Sequence, residues 1–213
     1  MRIVDLSYEL SNKAALVLDQ LDFHSSTGDN RFPATRIEAP SYVVPNGRVL
    51  NDFEPVSFVR DAVLLDLTDM KPRQLIDDED LEAAEEGAGI AIREGEIAIL
   101  CTGWEGYSES EDYWLSHPAL SENGAEYLES KQVIGVGVDA PNLDFPENRA
   151  LPVHSVLLKK NIFVLENLCN LNEVEQSRFQ LIALPPRVKA SVSLVRAVGV
   201  LNDSNVNDRD SST

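Results

Sequence analysis

The chain has 213 residues, 43% of them hydrophobic, enough for one domain with a sizeable core and too few for two independent ones. Asp and Glu number 36 against 18 Lys and Arg, and the resulting net charge of -18 repels phosphate backbones and anionic membranes, so neither nucleic acid nor membrane is an expected partner. No apolar run approaches the roughly 18 to 20 residues of a membrane span, and the opening Met1-Arg2-Ile3-Val4-Asp5-Leu6 lacks the apolar core of a signal peptide, so a cytoplasmic protein is expected.

Ile3 to Tyr8 alternates as a strand, and a loop rich in Asp, Ser and Gly follows over 22–30. Ala34-Thr35-Arg36-Ile37-Glu38-Ala39 predicts a strand stopped by Pro40. Ala62 to Leu67 and Glu96 to Cys101 are short apolar runs suited to interior strands. Between them Asp77 or Asp78 can cap a helix reaching Glu86, with Gly87 and Gly89 at its end. A second β-α-β unit follows, with a helix from Ser121 to Lys131 and a strand over 133–139. Pro152 opens a helix to Lys160, 162–166 returns as a strand, and 179–184 and 194–200 supply the last strands. One domain over 1–201 is expected, with a polar, disordered tail over 202–213. Cys101 and Cys169 lie in apolar stretches and read as buried free thiols. Gly135-Val136-Gly137 lacks the third glycine and following helix of a dinucleotide fingerprint and reads as strand packing.

Several strings, in order along nearly the whole chain, carry a family resemblance. They are Ile3-Val4-Asp5-Leu6-Ser7, Thr102-Gly103-Trp104, His117-Pro118-Ala119-Leu120-Ser121, Val136-Gly137-Val138-Asp139-Ala140-Pro141, Pro152-Val153-His154-Ser155, Glu166-Asn167-Leu168-Cys169-Asn170 and Leu181-Ile182-Ala183-Leu184-Pro185. Together they resemble the cyclase family that includes bacterial kynurenine formamidase and isatin hydrolase. The resemblance implies an α/β protein with the swivelling β/β/α fold. It also implies a homodimer or homotetramer that hydrolyses amides or lactams, such as N-formylkynurenine, with bound divalent metal. The family's signature His-x-Gly-Thr-His-x-Asp-x-Pro-x-His, aligned through Thr35 and Pro40, falls on Phe32, Arg36, Glu38 and Tyr42. Three histidines are replaced, and the aspartate has become glutamate.

Positions 32, 36, 38 and 42 share parity, so an extended chain points them to one face. Phe32 cannot ligate, Arg36 would repel a dication, and Tyr42 is no substitute for a histidine base. His154 and Glu166 match the family's other metal-binding histidine and glutamate. Glu166 continues the row of Ile162 and Val164, where a carboxylate needs a partner. Two cations can supply one: a Zn or Mn ion held by Glu38, His154 and Glu166, or Arg36, whose guanidinium grips carboxylates bidentately. Arg36 is preferred, two residues from Glu38 on the same face.

Two functions stand open. In the first, the protein is a hydrolase of small amides, lactams or lactones with an altered or lost metal site. Arg36, Tyr42 and His154 are then the catalytic candidates, Phe32 and Trp104 contact substrate, and none or one divalent ion is bound. In the second, it is a non-catalytic relative that binds a small anionic ligand or serves as a scaffold. A Ser155-His154-Asp139 triad fails, because adjacent helical residues do not face each other. Asp139 reads as a turn cap or a ligand-orienting group, His24 as a loop residue and His117 as a turn residue.

Overall fold

The structure, a computed structural model, describes residues 1–10 and 33–202. His24, Phe32, the 22–30 loop and all but the first residue of the expected tail lie outside the described residues. Among the described residues, nine strands form one sheet in the order β1-β11-β9-β3-β5-β7-β8-β2-β10. They are β1 (Arg2–Asp5), β2 (Arg36–Glu38), β3 (Val59–Asp66), β5 (Ile97–Cys101), β7 (Gly135–Val138), β8 (Phe163–Glu166), β9 (Arg178–Ile182), β10 (Val192–Leu194) and β11 (Val198–Leu201). A separate two-stranded parallel sheet joins β4 (Leu75–Ile76) to β6 (Ala119–Leu120).

The centre, β3-β5-β7-β8, is parallel throughout, as β-α-β crossovers require, and the strands flanking it are antiparallel. The crossovers carry α1 (Asp78–Ala88), α3 (Glu122–Ser130) and α4 (Pro152–Lys159), while the short α2 (Asp112–Leu115) lies before β6. Local sequence sets their ends. Asp80 accepts from the Asp77 amide at 2.9 Å, and Gly89 takes the left-handed conformation (φ 63°) that closes α1, so Gly87 is still helical. The Ser121 hydroxyl accepts from the Gly124 amide at 2.9 Å and starts α3, and Pro152 occupies the first turn of α4.

Strand alternation divides the core in two. Val63, Leu65, Ala98, Leu100, Val136, Val138 and Val164 face the helices, where Leu81, Leu128 and Leu157 meet them. Ala62, Ile97, Ile99, Leu165 and Ile37 face the opposite way, toward Phe58, Phe163 and Phe179. Because Ile37 and Leu165 belong to the second cluster, Arg36, Glu38 and Glu166 point to the first face, toward α4.

Two expectations change. The 194–200 run is two strands: β10 pairs with β2, and β11 pairs with β1 and β9, with 195–197 crossing between partners. The strand through Glu38 is also short. Pro40–Tyr42 forms a single 3₁₀ turn, so Tyr42 reaches the helix face by a bend and not by extended parity. Among the described residues, no helix is long and apolar enough to cross a membrane.

Candidate functional site

Direct pairing of β2 with β8 sets Arg36 opposite Glu166. The Arg36 Nε donates to Glu38 Oε1 at 3.0 Å, and one terminal nitrogen donates both to Glu166 Oε2 and to the Pro141 carbonyl, the latter at 2.9 Å. Arg36 is 4% exposed and both glutamates are wholly buried, so the guanidinium bridges two carboxylates inside the protein. This arrangement supplies the partner that the apolar row around Glu166 demanded.

His154, in the first turn of α4, approaches from the other side. Its Nε2 lies 3.2 Å from Glu38 Oε2 and 3.2 Å from Glu166 Oε1. Neither Nε2 nor Glu38 Oε2 makes a well-directed hydrogen bond. Glu166 Oε1 accepts the Leu143 amide at 2.9 Å. His154 Nδ1 lies 2.6 Å from Asp144 Oδ2, and Asp144 also accepts the amides of Val153 (3.1 Å) and His154 (3.2 Å). The Tyr42 ring meets the His154 ring edge-on with centroids 5.8 Å apart.

Charge is distributed unevenly in the cluster. Burial opposes ionisation of Glu38, yet His154 and Arg36 outweigh it and hold this carboxyl well below the usual range. Glu166 goes the other way: burial and the Glu38 charge raise it against the pull of Arg36. Burial disfavours the His154 imidazolium, but Asp144, Glu166 and Glu38 together raise its pKa well above the ordinary value. Formally, three carboxylates face one guanidinium and one imidazolium, leaving one negative charge uncancelled.

Glu38, His154 and Glu166 each offer one ligand atom within 4.8 Å of the others. A tetrahedral ion about 2.0–2.1 Å from its donors sets them about 3.3 Å apart, close to the two 3.2 Å separations at Nε2. A dication opposite a neutral imidazole would also cancel the residual charge. The donor set therefore fits one ion, on the oxygens that Arg36 does not use.

The sequence profile of the Cyclase family matches residues 4–145. Kynurenine formamidase from Bacillus cereus is 30% identical over 165 residues, 77% of this chain and 73% of that one. The chain belongs to the Cyclase family. Two further matches to kynurenine formamidases are shorter: 36% identity over 40% of this chain and 38% of the Polaromonas naphthalenivorans protein, and 35% over 41% of this chain and 42% of the Bordetella petrii protein. Among solved structures, isatin hydrolase A from Labrenzia aggregata, bound to benzyl benzoate, superposes with a TM-score of 0.76 at 18% identity, covering 93% of each chain. A potential metal-dependent hydrolase with cyclase activity gives 0.71 at 22% identity, over 93% of this chain and 96% of that one. At such identities the likeness is one of fold, and it bears out the mixed α/β architecture.

In this Cyclase-family chain the fold brings together Arg36, Glu38, Tyr42, His154 and Glu166, five of the seven site residues singled out from sequence. Trp104 stands apart from them. It is 3% exposed, its indole N–H donates to the Tyr113 carbonyl at 3.0 Å, and its ring stacks on Tyr107. Asp139 caps no turn: its Oδ1 accepts the Thr102 amide (3.0 Å) and hydroxyl (2.5 Å), tying the end of β7 to the end of β5. His117 is 1% exposed, packed toward Phe145, and burial pushes its pKa down to about 4. Cys101 and Cys169 are free and buried, as expected. The residue missed from sequence is Asp144, the partner of His154 that Asp139 is not. Its one legible signal was its place between a strand end and the proline that opens α4.

Proposed function

We propose that this cyclase-family protein hydrolyses a small amide or lactam at a site for one divalent ion of the Zn or Mn kind, with Arg36 taking over the rest of the cationic role. The observation that carries this reading is the convergence of His154 Nε2, Glu38 Oε2 and Glu166 Oε1, two of them lacking a directed hydrogen bond, inside the protein. Buried polar atoms without partners are costly, and two of them beside a third atom of ligand chemistry favour an ion. When bound, the ion would polarise the substrate carbonyl and make a nearby water more acidic. The chain's own residues set the rest. Arg36 holds Glu38 and Glu166 so that one oxygen of each faces His154, and its fixed charge would stabilise an oxyanion formed beside the cluster. Glu38, kept ionised, stays in the state that a metal ligand requires. Tyr42, against the His154 edge, is a second candidate for oxyanion contact, and Phe32 is proposed as a substrate contact on its place in the signature alone. Kynurenine formamidases and isatin hydrolases among the relatives make formamides and cyclic amides the first compounds to test.

A second reading is a non-catalytic relative whose charge cluster only holds the fold. It is favoured by the burial of Glu38, His154 and Glu166, none of which has exposed surface. An assay of N-formylkynurenine, isatin and a panel of small lactams, with and without added Zn or Mn, separates the two. Turnover that rises with metal and disappears in His154→Ala supports the hydrolase. A metal-loaded protein inert on the whole panel supports the second reading.

A further inference from the structure

The four-residue segment from Pro141 to Asp144 serves three charged members of the cluster, Arg36, Glu166 and His154, by a different group each. The Pro141 carbonyl accepts from Arg36 at 2.9 Å, the Leu143 amide donates to Glu166 Oε1 at 2.9 Å, and Asp144 takes His154 Nδ1 at 2.6 Å. Asp144 is the only side chain of the three contacts. It is 2% exposed, and both of its oxygens are used: Oδ1 by the Val153 amide, Oδ2 by the His154 amide and ring.

We propose that Asp144 is a positioning residue for the site: one carboxylate caps α4 from outside the helix and turns the His154 ring so that Nε2 faces the oxygens of Glu38 and Glu166 that Arg36 does not use. Helix α4 needs such a cap. Leu151, at its N-cap, has a left-handed backbone (φ 47°) and no side-chain bond to the first turn, so the amides of Val153 and His154 are left to Asp144. An anion also suits a helix N-terminus. The ring contact is a separate matter. A histidine on a helix can rotate about its side-chain bonds, and a carboxylate on Nδ1 fixes both which nitrogen carries hydrogen there and where the other points. Since Nε2 lies 3.2 Å from two carboxylate oxygens, a modest rotation of the ring would break the convergence.

The inference rests on reading the cluster as a functional site, and its test separates the two. Asp144→Asn and Asp144→Ser retain an oxygen for the helix amides but lose the carboxylate on Nδ1. In the metal-free wild type, proton NMR is expected to show a His154 Nδ1 proton far downfield and slow to exchange; it should move upfield or vanish in both variants. Zn affinity, by competition with a chromophoric chelator, should fall about 10- to 100-fold. Ser121→Ala, which removes the cap of α3 and touches nothing in the site, serves as a stability control and should leave both readouts unchanged. Wild-type signal and affinity retained in Asp144→Asn and Asp144→Ser, with only stability lost, would reduce Asp144 to a helix cap and overturn the proposal. Failure of the wild type to bind Zn would count against the metal reading alone, because the Nδ1 signal still reports on Asp144.

Discussion

Arg36 holds two buried carboxylates that would otherwise repel each other across the β2–β8 pair. Removing one partner of a buried ion cluster leaves charge without compensation, which costs about 3–5 kcal/mol. Arg36→Met should therefore lower stability by that order, read as a shift in the urea midpoint at constant slope. A loss below about 1 kcal/mol would mean that the guanidinium behaves like a surface ion pair. Glu105 offers a test away from this cluster. Burial, then the charge of Asp139, push its carboxyl up to about 7, and Glu105 Oε2 has no hydrogen-bond partner among the described residues. The folded state thus keeps a proton that the unfolded chain releases near the ordinary glutamate value of about 4.3. The associated stability is full below that value and is lost as pH rises through 7. Glu105→Gln cannot ionise, so its melting temperature should gain on the wild type between about pH 5 and pH 7 and level off above that. A difference that stays constant with pH would refute the assignment.

At the scale of elements, the glycines of β7 have a packing role. A Cβ on Gly135 would run into the Phe163 ring, and one on Gly137 would sit 2.6 Å from Ile99 Cδ1. Phe163 is fully buried between Phe58 and Phe53 and has no room to yield. Gly135→Ala is expected to cost about 1–3 kcal/mol, measured by thermal or urea unfolding, and a neutral substitution would show that the strand can shift. This close packing was legible in Gly135-Val136-Gly137 as soon as the nucleotide motif failed. So were the β-α-β units, whose apolar runs and caps are local signals. The placement of Glu166 in an apolar row required a cation, and Arg36 at the right parity was the available one. Less could be read where the chain bends. Tyr42 lies after a proline turn, and the split between β10 and β11 depends on which neighbour each half pairs with, a long-range matter. Asp144 was hidden for the same reason: it sits ten residues from His154, in a loop with no period to fix its direction.

For the whole molecule, the sheet's two faces divide the labour. One packs the aromatic cluster around Phe163; the other carries the helices and, at the β2–β8 end, the charged site. The sequence posed metal and Arg36 as rivals for the same carboxylates. The geometry gives them different oxygens: Arg36 takes Glu38 Oε1 and Glu166 Oε2, while Glu38 Oε2 and Glu166 Oε1 turn to His154. Metal content per chain is the most direct test of a site shared between one ion and Arg36. Protein reconstituted with Zn and freed of excess metal should hold one ion per chain by elemental analysis, and His154→Ala should hold none. Two ions per chain, or none in the wild type, would contradict a site shared between one ion and Arg36.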